Sequence, residues 1–143
     1  MTVKTITLKG NSQVIRKESI ADAAITPGML LELTATGAKK HAGAGLNAQK
    51  MFAVENEVVG NGIDDDYAAL DTLLYGIFPP GSEVWAIAGA GGVTALQYVE
   101  SDGLGGLDDA TADAATDTDQ RNSLVGLALT TAAAGARFKL EVA

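Results

Sequence analysis

The chain has 143 residues, a formal net charge of −8, and an apolar share of 47% of which little is aromatic. This is the length of one ordinary domain, and the absence of cysteine excludes a disulfide framework and a thiolate zinc site. No apolar run approaches the roughly 20 residues of a membrane span, and the N-terminus lacks the apolar core of a signal peptide. We therefore expect a soluble protein, made in the cytoplasm, with no membrane partner.

The charge is divided unevenly along the chain. Residues 1–50 hold seven lysines and arginines against three carboxylates, whereas residues 51–143 hold three against fifteen. This polarity favours docking of the basic part on an acidic surface while the acidic part faces water, although solubility alone explains it equally well. The basic residues are spread out without interleaved aromatic residues, so we expect no nucleic-acid partner.

The first 22 residues have the pattern of an arm. Residues 3–8 alternate between polar and apolar side chains, which predicts a strand that suits a sheet edge or an extended segment. Residues 10–22 are polar and charged, which is typical of a linker. The sequence therefore predicts an extended N-terminal arm over residues 1–22 and one β-rich domain over residues 23–143.

Short strands separated by glycine turns follow. Pro27-Gly28 fits the centre of a type II turn that begins a strand over residues 29–34, and residues 36–45 have the composition of a loop. The acidic residues 64–71 predict a short helical turn. The acidic residues 101–122 predict an exposed loop. Further strands are predicted at residues 50–55, 72–78, 83–88, 93–100, 123–130 and 136–142.

About seven short strands with frequent glycine turns indicate a mostly-β fold, either a small barrel or a sandwich. Alanine and glycine supply much of the apolar share and bury little area each. We therefore expect a modestly stable monomer that gains from a partner or from self-association.

No catalytic or metal-binding pattern is convincing. The single histidine, His41, lies in a Gly/Ala/Lys loop, where it is better explained as an incidental surface residue than as a base. Asp64-Asp65-Asp66 lacks the spacing of a calcium loop and is better explained as a solvated turn. Residues 102–109 resemble one copy of a Gly/Asp calcium repeat, and a single copy cannot stack into a β-helix. Residues 89–92 are better explained as a turn than as a phosphate loop. A carboxylate-dependent hydrolase using two of Asp64, Asp65, Asp66 and Asp71 has only the presence of acids in its favour. We expect a protein that is not an enzyme and has no cofactor or bound metal.

Several segments resemble the capsid decoration, or cement, proteins of tailed bacteriophages. The resemblance covers about residues 23–143 and depends on the order of its motifs, because no single motif is specific. The segments are Phe52-Ala53-Val54-Glu55-Asn56-Glu57, Gly62-Ile63-Asp64-Asp65-Asp66-Tyr67-Ala68-Ala69, Phe78-Pro79-Pro80-Gly81-Ser82-Glu83-Val84-Trp85-Ala86, Val125-Gly126-Leu127-Ala128-Leu129 and Ala136-Arg137-Phe138-Lys139-Leu140-Glu141-Val142.

Two turns depart from this pattern. The family has a Gly-Asp pair where this chain has Leu70-Asp71. It often has a second Gly-Asp turn before the strand at residues 93–100, where this chain has Thr94-Ala95-Leu96 after Gly91-Gly92.

The resemblance implies a small β-barrel or β-tulip body with an N-terminal arm, bound as a homotrimer to the outer capsid surface of the virion. Its partner would be the major capsid protein, whose neighbouring subunits it would cement so that the head is stabilised. An extended arm can add a strand to a capsid loop, and many weak contacts of this kind, repeated over many copies, together give strong binding. We therefore predict capsid contact through the arm and a basic loop, while residues 101–120 face solvent. The predicted capsid-binding residues are Val3, Lys4, Ile6, Leu8, Lys9, Arg16, Lys17, Lys39 and Lys40.

On this hypothesis, removal of residues 1–22 abolishes capsid binding and leaves the body folded. Two alternatives stay open at this stage. A phage tail or baseplate component would use similar β modules and differ in copy number per particle. A small ligand-binding β module would need exposed aromatic residues along a groove, and the sequence has few.

Overall fold

The computed structural model describes residues 2–111 and 123–143, and their regular structure is almost entirely β. The mostly-β prediction is confirmed. One turn of 3₁₀ helix at Glu57–Val59 interrupts the strands. The strands of this part of the chain are β1 (Thr7–Lys9), β2 (Ile15–Ile20), β3 (Leu31–Leu33), β4 (Ala38–Lys40), β5 (Met51–Ala53), β6 (Thr72–Ile77), β7 (Glu83–Ile87), β8 (Tyr98–Ser101), β9 (Leu107–Asp109), β10 (Gly126–Ala128) and β11 (Arg137–Val142).

The largest sheet, sheet A, has the strand order β1-β7-β11-β10-β8-β9 with antiparallel neighbours. Along β11, Phe138, Leu140 and Val142 are buried and alternate with more exposed residues, as the sequence predicts for a strand with one face on the core. A parallel bridge joins Ala88, just after β7, to Leu107 in β9. Sheet A therefore curls back on itself at this end.

Two smaller sheets complete the body. Sheet B has the order β2-β6-β5, and sheet C is the hairpin β3-β4. Bridges from Leu30 to Phe52 and from Ala21 to Ala38 tie the two sheets together. The outer side of β5 is occupied, because the Gly28 N–H donates to the Ala53 carbonyl oxygen at 2.8 Å. Strand β2 forms the opposite edge of sheet B.

The N-terminal residues are part of the body, which corrects the predicted boundary at residue 22. Strand β1 pairs with β7 in sheet A. Strand β2 pairs with β6 over its whole length, although the sequence predicted a linker there. The linker prediction was wrong because β2 is exposed along almost its whole length, so its sequence carries no apolar periodicity.

Other boundaries also differ from the sequence predictions. The predicted loop over residues 36–45 contains β4, whose pairing with β3 no local pattern indicates. The predicted helical turn over residues 64–71 contains turns and a bridge from Tyr67 to Ile25. The strand predicted at 93–100 begins only at Tyr98. The acidic segment predicted as a loop contains β9, and its residues 112–122 lie outside the described part.

Two clusters of buried apolar side chains form the interior. The larger cluster lies against sheet A, and in it Phe52 and Phe78 meet edge to face with ring centroids 5.7 Å apart. The smaller cluster lies between sheets B and C and includes Leu31, Leu73 and Tyr75. Trp85 packs against the larger cluster while partly exposed.

Six tight turns have two marks of a type II turn, an i to i+3 hydrogen bond and a positive φ at the third residue. Four of them place Gly28, Gly45, Gly81 or Gly135 at that position, and the first is the predicted Pro27-Gly28 turn. The other two place Leu70 (φ 73°) and Leu96 (φ 67°) there. These leucines stand at the two turns that depart from the family pattern, and a left-handed backbone costs such a residue about 1 kcal/mol.

Asp22 fixes the β3–β4 turn against the end of β2. Its carboxylate accepts hydrogen bonds from the Thr34 hydroxyl and, at 2.8 Å, from the Thr36 hydroxyl. The Asp22 N–H donates to the Ala38 carbonyl oxygen at 2.9 Å. The hydrogen bond from Thr34, followed by that from Thr36, lowers the pKa of Asp22 below its ordinary value.

Replacing Asp22 with asparagine is expected to destabilise the fold at neutral pH, because one charged acceptor of two hydroxyls is lost. A carboxylate with a depressed pKa in the folded state stabilises above its unfolded pKa, and this stabilisation is lost as the pH falls through the folded value. Urea unfolding of both proteins between neutral pH and acid should show a difference that shrinks below about pH 4. A difference independent of pH would contradict this account of Asp22.

Candidate functional site

The residues predicted to bind a capsid lie on three different sheets. Val3 and Lys4 precede β1, which carries Leu8 and Lys9 at the edge of sheet A. Arg16 and Lys17 lie on the edge strand β2 of sheet B. Lys39 and Lys40 lie on β4 of sheet C. The structure thus separates the predicted set into three groups, each on its own sheet.

Ile6 is fully buried in the larger apolar cluster, which corrects its prediction as a capsid contact. Its N–H donates to the Glu55 carboxylate at 3.0 Å, and its carbonyl oxygen accepts from the Trp85 N–H at 2.8 Å. Alternation correctly placed Ile6 on an apolar face. Which surface covers that face depends on tertiary packing, and here it is the protein's own core.

Glu55 is a structural residue that the sequence analysis did not single out. It is buried at the end of the apolar run Met51 to Val54 and holds the backbone of Ile6. In the sequence, the signal for this structural role was an acidic residue directly after four apolar residues. A carboxylate that follows such a run into the interior is seldom buried without a partner. The Phe-Ala-Val-Glu-Asn motif therefore contains the residue that attaches the N-terminal segment to the body.

Several of the predicted cations are already paired within the chain. Lys9 lies 3.1 Å from Glu83, and Lys39 lies 3.1 Å from Glu32. Burial raises the pKa of Glu32, but hydrogen bonds from Lys39 and the Ala42 N–H, together with the charge of Lys39, outweigh it, so the net pKa is lowered. Among residues 2–111 and 123–143, Lys4 and Lys17 have no carboxylate within 4.0 Å.

An open groove of about 580 Å³ lies between the end of β2 and the β3–β4 hairpin. Ile20 and Leu33 are its exposed apolar side chains, and Tyr75 lies in its floor with only 4% of its surface exposed. The remaining lining consists of Gly37, one carboxylate residue and four hydroxyl side chains, contributed by Glu18, Ser19, Thr34, Thr36 and Thr72. Apart from Glu18 the lining is uncharged, so the part of the groove beside Ile20 and Leu33 suits a neutral or apolar side chain.

The connection between β5 and β6, here called the acidic loop and comprising residues 55–71, projects from sheet B. It carries six carboxylates, and no lysine or arginine occurs between residues 51 and 120. The Tyr67 hydroxyl closes the base of the loop by donating to the Val54 carbonyl oxygen at 2.7 Å, and burial raises the pKa of that hydroxyl. The loop also presents Val58 and Leu70, which are 88% and 81% exposed.

Arg137 anchors the acidic loop to sheet A. Its guanidinium donates to the carbonyl oxygens of Pro27 at 2.8 Å and Ile63 at 2.7 Å, with a longer contact to Trp85. The Asp64 carboxylate lies 3.6 Å from Nη2. Burial lowers the pKa of Arg137 while the Asp64 charge opposes this shift. A planar fork of donors is what three convergent carbonyl oxygens require, so Arg137 has a structural role.

His41 is buried, which corrects its prediction as a surface residue. Its Nε2 lies 3.1 Å from the Asn47 carbonyl oxygen, so that nitrogen is assigned the proton. Its Nδ1 then accepts from the Ser101 hydroxyl, 2.7 Å away, and the Ser101 oxygen in turn accepts from the Gly103 N–H. The imidazole therefore joins the segment after β4 to the end of β8.

Neither a cluster of metal-ligating side chains nor a membrane-spanning helix occurs among residues 2–111 and 123–143. No group of three or more acidic or histidine side chains is placed to hold a metal ion. No helix in these ranges is long and apolar enough to cross a membrane.

The arrangement as a whole is a β-rich body with a partly buried arginine anchor, an exposed charged edge strand and a largely exposed acidic loop. No protein-family model matches the chain, and no curated protein matches it. Among solved structures, the chain is similar to the head fiber gp8.5 N base of bacteriophage phi29, with a TM-score of 0.61 and 13% sequence identity. The similarity covers 92% of this chain and 95% of that chain. At this identity the likeness shows a shared fold.

Proposed function

We propose that this protein is a structural component of a phage virion that binds the outside of the capsid and cements neighbouring major capsid subunits. The observation that carries the proposal is the shared fold with a phage head fiber base over nearly the whole of both chains. The motif order of the capsid decoration proteins supports the same assignment independently. A homotrimer on the outer head surface, without catalytic activity or cofactor, is part of the proposal.

We assign the capsid contact to the N-terminal edge of sheet A. Strand β1 is the edge strand there, and an edge can pair with an extended segment of another protein. Lys4 is exposed beside it and Val3 is half-buried. Ile6 is left out because it lies in the core, and Leu8 and Lys9 belong to the same edge.

Sedimentation with expanded, decoration-free heads of a phage that encodes the protein tests this assignment. We expect saturable binding at several copies per capsomer, raised resistance of the heads to heat, and at least about a tenfold loss of affinity for Val3→Asp with Lys4→Glu. Lys139→Glu, which reverses an exposed charge on β11, is the matched control and should bind normally.

Absence of wild-type binding to heads would overturn the cement function. Copy number in the virion then separates the alternatives, because a tail or baseplate component is present in far fewer copies than a shell component. Normal binding of the double variant would overturn the β1 edge as the contact and leave the cement function standing.

A further inference from the structure

Strand β2 is an edge strand whose outer side is covered only at its end. Its residues are exposed or half-exposed throughout, and β6 pairs with its inner side. On the outer side, the bridge from Ala21 to Ala38 begins just after Ile20. It carries the exposed side chains of Ile15 and Ile20 together with Arg16 and Lys17. A six-residue strand with an open side and apolar groups is a surface that proteins normally cover or use.

The groove described above continues this surface. Ile20 and Leu33 present their apolar side chains there. Leu70 lies beside it, because its N–H donates at 2.7 Å to the carbonyl oxygen of Ala21, the residue after Ile20. Four comparable turns use glycine at the position of Leu70, so the chain keeps a large apolar group where the backbone disfavours one.

The acidic loop presents the complementary features. Val58 and Val59 project from its 3₁₀ turn and are 88% and 66% exposed. Glu57 begins the same turn, and Asp65 and Asp66 are exposed nearby in the loop. The loop has no lysine or arginine of its own, and among residues 2–111 and 123–143 its ion pair is the one between Asp64 and Arg137.

We propose that β2 and its groove on one copy bind the acidic loop of a second copy. Val58 and Val59 enter the groove beside Ile20 and Leu33, and Glu57 faces the basic side chains of β2. Charge complementarity names the occupant. Strand β2 carries Arg16 and Lys17 against the single carboxylate of Glu18, and neither cation forms an ion pair within residues 2–111 and 123–143, whereas the acidic loop carries six carboxylates. Arg16 and Lys17 are thereby assigned to a contact between copies rather than to the capsid.

The contact is heterologous, since it joins two different surfaces, and it closes into a ring if the rotation between copies allows. It deepens the proposed function, because it rests on the homo-oligomer in that proposal and supplies its interface. It also differs from the β1 edge that we assign to the capsid. Loss of one contact therefore does not entail loss of the other.

Sedimentation velocity of the purified full chain over a range of concentration and salt is the test. We expect reversible self-association that weakens as salt rises, because the paired charges are exposed. Lys17→Glu and Glu57→Lys should each weaken association at least about tenfold. An equimolar mixture of these two variants should associate again. In the mixture, the reversed charge on β2 of the Lys17→Glu variant can face the reversed charge on the acidic loop of the Glu57→Lys variant.

Leucine variants provide the matched comparison. Leu70→Gly and Leu96→Gly both remove an exposed leucine from a left-handed turn position, and each should leave Tm unchanged or raise it by up to about 3 °C. Only Leu70→Gly should weaken self-association, because Leu96 lies in a turn bonded to Ala128 of sheet A. Val58→Ser, on the exposed 3₁₀ turn, should weaken it without lowering Tm.

A wild-type chain that stays monomeric at about 100 µM in low salt would overturn the second copy as the occupant. So would equal effects of Leu70→Gly and Leu96→Gly, or failure of the mixed charge-reversed variants to associate. If these variants lose binding to phage heads while self-association is unchanged, β2 belongs to the capsid contact and this inference fails. Unchanged self-association with no head binding would instead sink the proposed function alone.

Discussion

Replacing Arg137 with methionine is expected to lower the free energy of unfolding by about 3 kcal/mol or more. The guanidinium is the donor for the Pro27 and Ile63 carbonyl oxygens and lies 3.6 Å from the Asp64 carboxylate. Methionine fills the space but donates nothing, so these acceptors lose their partner at a position where the side chain is only 14% exposed. The loss should be seen in urea unfolding followed by tryptophan fluorescence, because Trp85 is adjacent to the site.

Two further variants make this prediction specific to the fork of the guanidinium. Arg137→Lys keeps the charge but cannot reach several carbonyl oxygens at once. We therefore expect its free energy of unfolding to lie between those of the wild type and Arg137→Met. Lys139→Met removes an exposed cation from the same strand and should change the stability by less than about 0.5 kcal/mol. Equal stabilities of Arg137→Met and Lys139→Met would refute the anchoring role.

Gly28 gives an independent test of the same site. A Cβ atom on Gly28 would lie 2.5 Å from Arg137 Nη1 and 2.8 Å from the Trp85 carbonyl oxygen, and its φ of 96° disfavours a side chain. Gly28→Ala is therefore expected to displace the guanidinium and destabilise the fold. Gly81→Ala, at φ 89° with open space around it, carries the backbone cost alone and should be the milder change.

Deletion of residues 1–22 is expected to prevent the body from folding, in contrast to the arm hypothesis drawn from the sequence. The deletion removes Ile6 from the larger cluster, β1 from the edge of sheet A and β2 from sheet B. Loss of Ile6 packing alone costs about 2–5 kcal/mol, and an ordinary domain has only about 5–15 kcal/mol in total. Circular dichroism and amide exchange should show an unfolded chain.

Smaller changes locate the cause of this effect. Ile6→Ala should cost about 2–4 kcal/mol, because a cavity opens in a packed core. Glu55→Ala should also destabilise, since the Ile6 N–H loses its buried acceptor, whereas Glu55→Gln keeps an acceptor oxygen and should be milder. Removal of residues 2–4, which precede the buried Ile6, should leave the free energy of unfolding nearly unchanged. A folded, stable 23–143 fragment would show that the N-terminal strands are dispensable.

The design of the binding experiments follows from this packing. A chain that lacks residues 1–22 would lose capsid binding because it is unfolded. Its failure to bind would therefore say nothing about which residues contact the capsid. Surface substitutions such as Lys4→Glu or Lys17→Glu leave Ile6 and the strand pairing in place. They are the variants from which contacts with a capsid or a second copy can be read.

Local patterns determined a large part of this fold. Strands β7 and β11 lie where alternation predicts them, because each has one face on the core and one towards solvent. The Pro27-Gly28 turn forms as predicted, because proline presets φ at its position and glycine accepts the positive φ that follows. The series of short strands between glycine turns was also sufficient to indicate a mostly-β fold.

Tertiary pairing alone decided the rest. Strand β2 has solvent on most sides and β4 is a short Ala-Lys-Lys segment, so both exist because a partner strand supplies their hydrogen bonds, and neither leaves a periodic signal. His41 is buried because sheet A brings Ser101 to it across 60 residues. The carbonyl oxygens around Arg137 and the groove beside Ile20 are likewise assembled from segments distant in sequence, which composition and spacing along one chain do not encode.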